Sequence, residues 1–154
     1  MLAGSLMAAT VLISGCSDRA DLPRSTQTVD GITIELGVVP AESVKGHATA
    51  PSDPNALHGG APPYGNSYHV VVALFDAKSG ARITDAQVLA GVGDRSYNHA
   101  PDTSLEPMKI NGTMSYGNFF LMQGKGVWRI HLKIRRPNMA QPVEADFTYD
   151  RVAS

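Results

Sequence analysis

Cysteine occurs once in these 154 residues, at Cys16. An intramolecular disulfide is therefore impossible, and packing and hydrogen bonds must hold the fold. Runs of one charge are also missing. Thirteen Lys and Arg face fourteen Asp and Glu, and no basic run exceeds the Arg135-Arg136 pair. With no phosphate-binding stripe, nucleic-acid binding is not expected. Helical periodicity is absent outside the first residues, and no apolar run reaches the ~20 residues that a membrane-spanning helix needs. No HExxH, nucleophile elbow or phosphate-cradling glycine loop occurs. His99 and Asp102 share a loop, which alone makes no catalytic centre, so the chain reads as a non-enzyme. No small-molecule substrate is indicated.

The leader is what stands out first. Residues 1–15, MLAGSLMAATVLISG, are uncharged and apolar or small, as in the apolar part of a secretory signal. Ile13-Ser14-Gly15-Cys16 resembles the bacterial lipobox, in which the cysteine is lipidated and becomes the mature N-terminus. Being the sole cysteine, Cys16 suits that role. Several acyl chains on one residue would hold the protein to a bilayer where a single chain holds only marginally. Residues 16–28 then read as a lipidated Cys and polar tether, and 29–154 as the folded domain. Ser17, standing where some lipoproteins carry an inner-membrane aspartate, gives a mild preference for the outer membrane.

Most of the remaining chain alternates with the period of strands. GITIELGVV (31–39) sets Ile32, Ile34, Leu36 and Val38 against Thr33 and Glu35. YHVVVALFD (68–76) is apolar on both faces and reads as a central strand. Ala86, Val88, Ala90 and Val92 share one face of ITDAQVLAGV. VWRIHLKIRRP (127–137) is the cleanest case: Trp128, Ile130, Leu132 and Ile134 oppose Arg129, His131, Lys133 and Arg135. PVEADFTYD (142–150) repeats it. About seven short strands with turn signals predict an all-β, antiparallel, immunoglobulin-like sandwich, with Trp128 as a core anchor. Residues 40–67 are rich in proline and glycine and read as a long loop carrying His47 and His58.

Three segments, YHVVVALFDAKSGARITDAQV, LEPMKINGTMSYGNFFLMQGKGVWRIHLKIRRP and PVEADFTY, together resemble the YtkA-like domain group of small bacterial envelope proteins. More distantly, they resemble the periplasmic iron- and copper-binding proteins that accompany iron permeases. In those proteins a "PM…HYG" segment and an "HxE" strand start build a metal site on an immunoglobulin-like sandwich. The resemblance implies that Met108 is the "PM" methionine and His69 the strand-start histidine. Ser115 stands where the histidine before Tyr-Gly would be, and Val71 where the acidic residue would be.

Thioether and imidazole donors select copper over hard ions such as Mg or Ca. The candidate ligands are accordingly His69, Met108 and Met122, joined by His58 from the loop. Met108 and Met122 also have an alternative role as fillers of irregular core gaps. Met114 reads as an exposed residue of the Asn111-Gly112 turn. His131 is set aside because Arg129 and Lys133 flank it on a basic face, which could also meet anionic lipid or an acidic partner. The expectation is a lipid-anchored periplasmic copper carrier or accessory, exchanging ligands at a partly exposed His/Met site near one end of the sandwich. Its alternative is an adaptor lipoprotein that docks an envelope complex through a sheet face or loop 40–67.

Overall fold

The computed structural model describes residues 25–44, 65–94 and 101–152. Cys16, the leader, most of the tether, His47, His58 and His99 lie outside the described residues. The strands are β1 (Thr26–Val29), β2 (Ile32–Pro40), β3 (Ser67–Asp76), β4 (Gln87–Asp94), β5 (Thr103–Ile110), β6 (Thr113–Leu121), β7 (Gly126–Arg135) and β8 (Val143–Arg151). One turn of helix, α1 (Ala41–Val44), follows β2. All strand pairs are antiparallel, in the order β1-β2-β3-β6-β5-β4-β7-β8. Two layers arise because β5 changes partner midway: residues 103–105 pair with β4 and 106–110 with β6. The far edges also meet, where Gln27 Nε2 donates to the Asp146 carbonyl at 2.6 Å. The antiparallel all-β sandwich expected from the alternation is the observed architecture.

Alternation decides what goes inside. Val70, Val72 and Leu74 of β3 and Ile130, Leu132 and Ile134 of β7 are fully buried, and Trp128 is 8% exposed. Each such side chain contributes roughly 1.5–3 kcal/mol by leaving water. Tyr116 carries a hydroxyl into this core and partners it there, accepting from the Ala86 N–H at 3.1 Å and donating to the Ile83 carbonyl at 3.5 Å. The connection before β4 is thereby tied to the middle of β6.

Three features differ from expectation, one of them α1, which lies in the stretch read as a loop. β1 occupies residues assigned to the tether, because Thr26-Gln27-Thr28-Val29 shows no apolar period. It forms through pairing, as the first strand of a hairpin closed by Asp30 and Gly31 with φ of 46° and 80°. Positive φ at both central residues is the type I′ geometry that matches strand twist. Asn111 and Gly112 close β5 to β6 the same way, with φ of 50° and 77°, as their sequence predicted. Met114 is a half-buried strand residue opposite Lys109, not an exposed turn residue, because the turn needs only two residues.

Candidate metal centre

His69 lies on β3 between Tyr68 and Val70, which both belong to the core. Alternation therefore turns His69 to the outside of the sandwich. It is nevertheless only 2% exposed. The register contributes to the burial. Along β6, Phe119 opposes His69 and Gly117 opposes Val71. Across the other side of β6, Glu106 opposes Gly117 and Met108 opposes Ser115. Directly opposed residues of an antiparallel pair share a face, so these side chains all rise from the same outer surface. The Phe119 ring covers His69 from one side, 4.9 Å away and tilted by 44°.

Gly117 sits at the centre of this patch. A Cβ built on it would lie 2.7 Å from His69 Nε2 and 2.9 Å from Met108 Sδ. The two side chains lean diagonally from neighbouring strands into the space a larger residue would fill. Glycine inside a strand commonly marks such a close approach. An imidazole nitrogen and a thioether sulfur thus converge on one point, with Met108 9% exposed. Both atoms are donors of the kind that bind copper. In donor chemistry and approach the pair fits a soft or borderline ion.

The four candidate ligands do not all gather. His69 and Met108 come together. Met122 is fully buried within the hydrophobic core cluster, on the other side of the sheet from His69, where strand parity and apolar packing put it. His58 lies outside the described residues. Burial of 2% and 9% also places the pair deeper than a partly exposed site. Among the described residues no group of three or more His, Cys, Asp or Glu is placed to hold a metal. The metal reading therefore stands on a thioether.

Two residues of this outer patch escaped the sequence reading. Gly117 looks unremarkable until its neighbours are known. Glu106 is exposed on the same face, directly across β6 from Val71, and its i, i+2 relation to Met108 was a readable signal. His131, set aside for its cationic neighbours, has a different setting in the structure. Its Nδ1 lies 2.9 Å from Asp146 Oδ1 and its Nε2 4.0 Å from Glu144. The strip around it is paired as well, Lys133 with Asp102 at 2.7 Å and Arg136 with Asp85 at 3.2 Å. The hydrogen bond and charge of Asp102 raise the Lys133 pKa. An open groove of about 440 Å³ continues the outer face beyond the pair, lined by Glu35, Gly37, Val71, Arg82, Ile110 and Ser115 among others.

No protein-family model matches the chain, and no curated protein sequence matches it. Solved structures do share its fold. A copper-bound variant of FetP from uropathogenic Escherichia coli strain F11 superposes with a TM-score of 0.60 at 12% identity, over 84% of this chain and 95% of that one. A copper-bound variant of Campylobacter jejuni P19 gives 0.64 at 12% identity, over 84% and 95%. A DUF4426 family protein from Pseudomonas aeruginosa PAO1 gives 0.55 at 10% identity, over 82% and 96%. At these identities the likeness is one of fold.

Proposed function

We propose that this chain is a lipid-anchored periplasmic protein that binds copper and serves as a carrier or accessory in metal handling. The observation that carries this reading is the meeting of His69 Nε2 and Met108 Sδ over Gly117. The copper-bound FetP and P19 variants, which share the fold, support it. So does the resemblance of Ile13-Ser14-Gly15-Cys16 to a lipobox, with a mild preference for the outer membrane. The YtkA-like affinity belongs to the same proposal. His69 and Met108 hold the ion, His58 of the loop is a further candidate donor, and transfer proceeds by ligand exchange without turnover. Titration of the purified chain with Cu(I) and Cu(II) under a competing chelator tests it. Uptake should weaken by about tenfold or more in His69→Ala and Met108→Leu, since even residues behind the ligands of metal sites cost 10–100-fold. Uptake no tighter in the wild type than in these variants would overturn the proposal.

The groove beside the pair, with Ile110 41% exposed at its edge, favours a second reading as an adaptor that docks an envelope protein. Wild-type protein that takes up no copper would leave that reading in place.

A further inference from the structure

Val71, Gly117 and Glu106 form one row across β3, β6 and β5. Neighbouring strands lie about 4.8 Å apart, so Glu106 starts one strand spacing from the glycine over which the two donor atoms meet. Gly117 presents no side chain between them. Met108, two residues further along β5, leans into the same space from the same face. His69 and Met108 are buried, whereas Glu106 is exposed at the rim. A carboxylate with two rotatable side-chain bonds before the carboxyl carbon spans that single spacing.

We propose that Glu106 is a third metal ligand, which gives an otherwise soft pair its capacity for divalent copper. The inference rests on the copper reading of His69 and Met108. A thioether and an imidazole suit Cu(I), whereas an anionic oxygen donor adds the charge and hardness that a divalent ion prefers. Val71, on the opposite side of Gly117 in the same row, offers no donor, so the carboxylate arrives from β5 alone. Glu106 thereby acts as a specificity determinant: without it the site retains Cu(I) and loses its hold on Cu(II).

The test is a parallel chelator competition on the full chain and its Glu106→Gln variant, using Cu(I) and Cu(II) separately, with electron paramagnetic resonance of the Cu(II) forms. The variant should lose about tenfold or more in Cu(II) affinity, by the same comparison with residues behind metal ligands. Its Cu(I) affinity should change by less than about threefold, because soft ions draw little from a carboxylate. The g and hyperfine values of Cu(II) should shift, which a distant change of charge would not produce. Glu106→Asp, which keeps the charge but shortens the reach, should fall between. If Glu106→Gln binds Cu(II) as the wild type does with the same spectrum, Glu106 is no ligand, while the His69–Met108 site stands. If the wild type takes up neither ion, the copper reading falls and the role of Glu106 with it. Because Glu106 is exposed, the variant keeps its fold, and far-ultraviolet circular dichroism verifies this.

Discussion

Gly117 shows how an absent side chain can build a site. Its Cβ position is contested by an imidazole and a thioether at 2.7 Å and 2.9 Å, closer than unbonded heavy atoms tolerate. Gly117→Ala must therefore push His69 or Met108 aside. The Met108 thioether yields easily because its chain is flexible. His69 yields less, since it is buried against Phe119. Overpacking of this kind typically costs about 1–3 kcal/mol. Gly117→Ala is expected to lower the melting temperature modestly and to separate the donors, so its copper affinity should fall more than its stability does. Calorimetric melting and chelator competition on the same preparation check both. A variant that melts lower but binds copper as before would mean that the donors do not meet at Gly117. By contrast, a Cβ on Gly112 would find nothing within 4 Å, and its φ of 77° is the whole reason for glycine there.

The turn leaving β3 is organised by Asp76. Its carboxylate accepts from the Ser79 backbone N–H and hydroxyl, both at 2.8 Å, and from the Lys78 N–H at 3.1 Å. The Ser79 backbone bond, followed by the Ser79 hydroxyl, holds the Asp76 carboxyl below its usual pKa. A depressed carboxyl pKa contributes stability above the unfolded value of about 3.9 and loses it as pH falls through the folded value. Melting temperature should thus decline below about pH 4 more steeply in the wild type than in Asp76→Asn, whose amide does not titrate. Parallel pH series of thermal melts measure the difference. Identical slopes would mean that the turn does not discriminate between the two forms of the carboxyl. The effect reaches the site's strand because Ala81 and Ile83, just past this turn, pair back onto β3.

Arg151 joins parts of the molecule that are far apart in sequence. From the end of β8 it donates to Tyr68 Oη at 2.7 Å, Asn66 Oδ1 at 2.9 Å and the Gly124 carbonyl at 2.5 Å. The clamp ties the last strand to the start of β3, one residue before His69. Hydrogen bonds from a charged donor contribute about 1.5–3 kcal/mol when well formed, and this one is partly exposed. Arg151→Met should cost about 2 kcal/mol, read in chemical denaturation, and should loosen His69 enough to weaken copper binding. Lost stability with unchanged copper affinity would confine the clamp to the fold. Lost affinity at unchanged stability would contradict the clamp itself.

Much of this architecture is legible in the residue order, because burial on one face of a strand writes itself as an alternation of period two. Trp128-Arg129-Ile130-His131-Leu132-Lys133-Ile134 declares β7 and its inward face, and Asn111-Gly112 declares the hairpin that carries Met108 into place. β1 stayed hidden because Thr26–Val29 has no apolar period and exists only through its partner β2. The donors divide in the same way. His69 and Met108 are visible as residue types suited to copper, but Met122 is equally suited, and composition cannot tell an outer-face thioether from a core one. Pairing across β3, β6 and β5 made that choice: it set Met108 over Gly117 beside His69, sent Met122 into the core, and brought Glu106 to the rim. Chain order specifies which side a residue takes within its own strand, whereas register between strands distant in sequence determines which residues become neighbours.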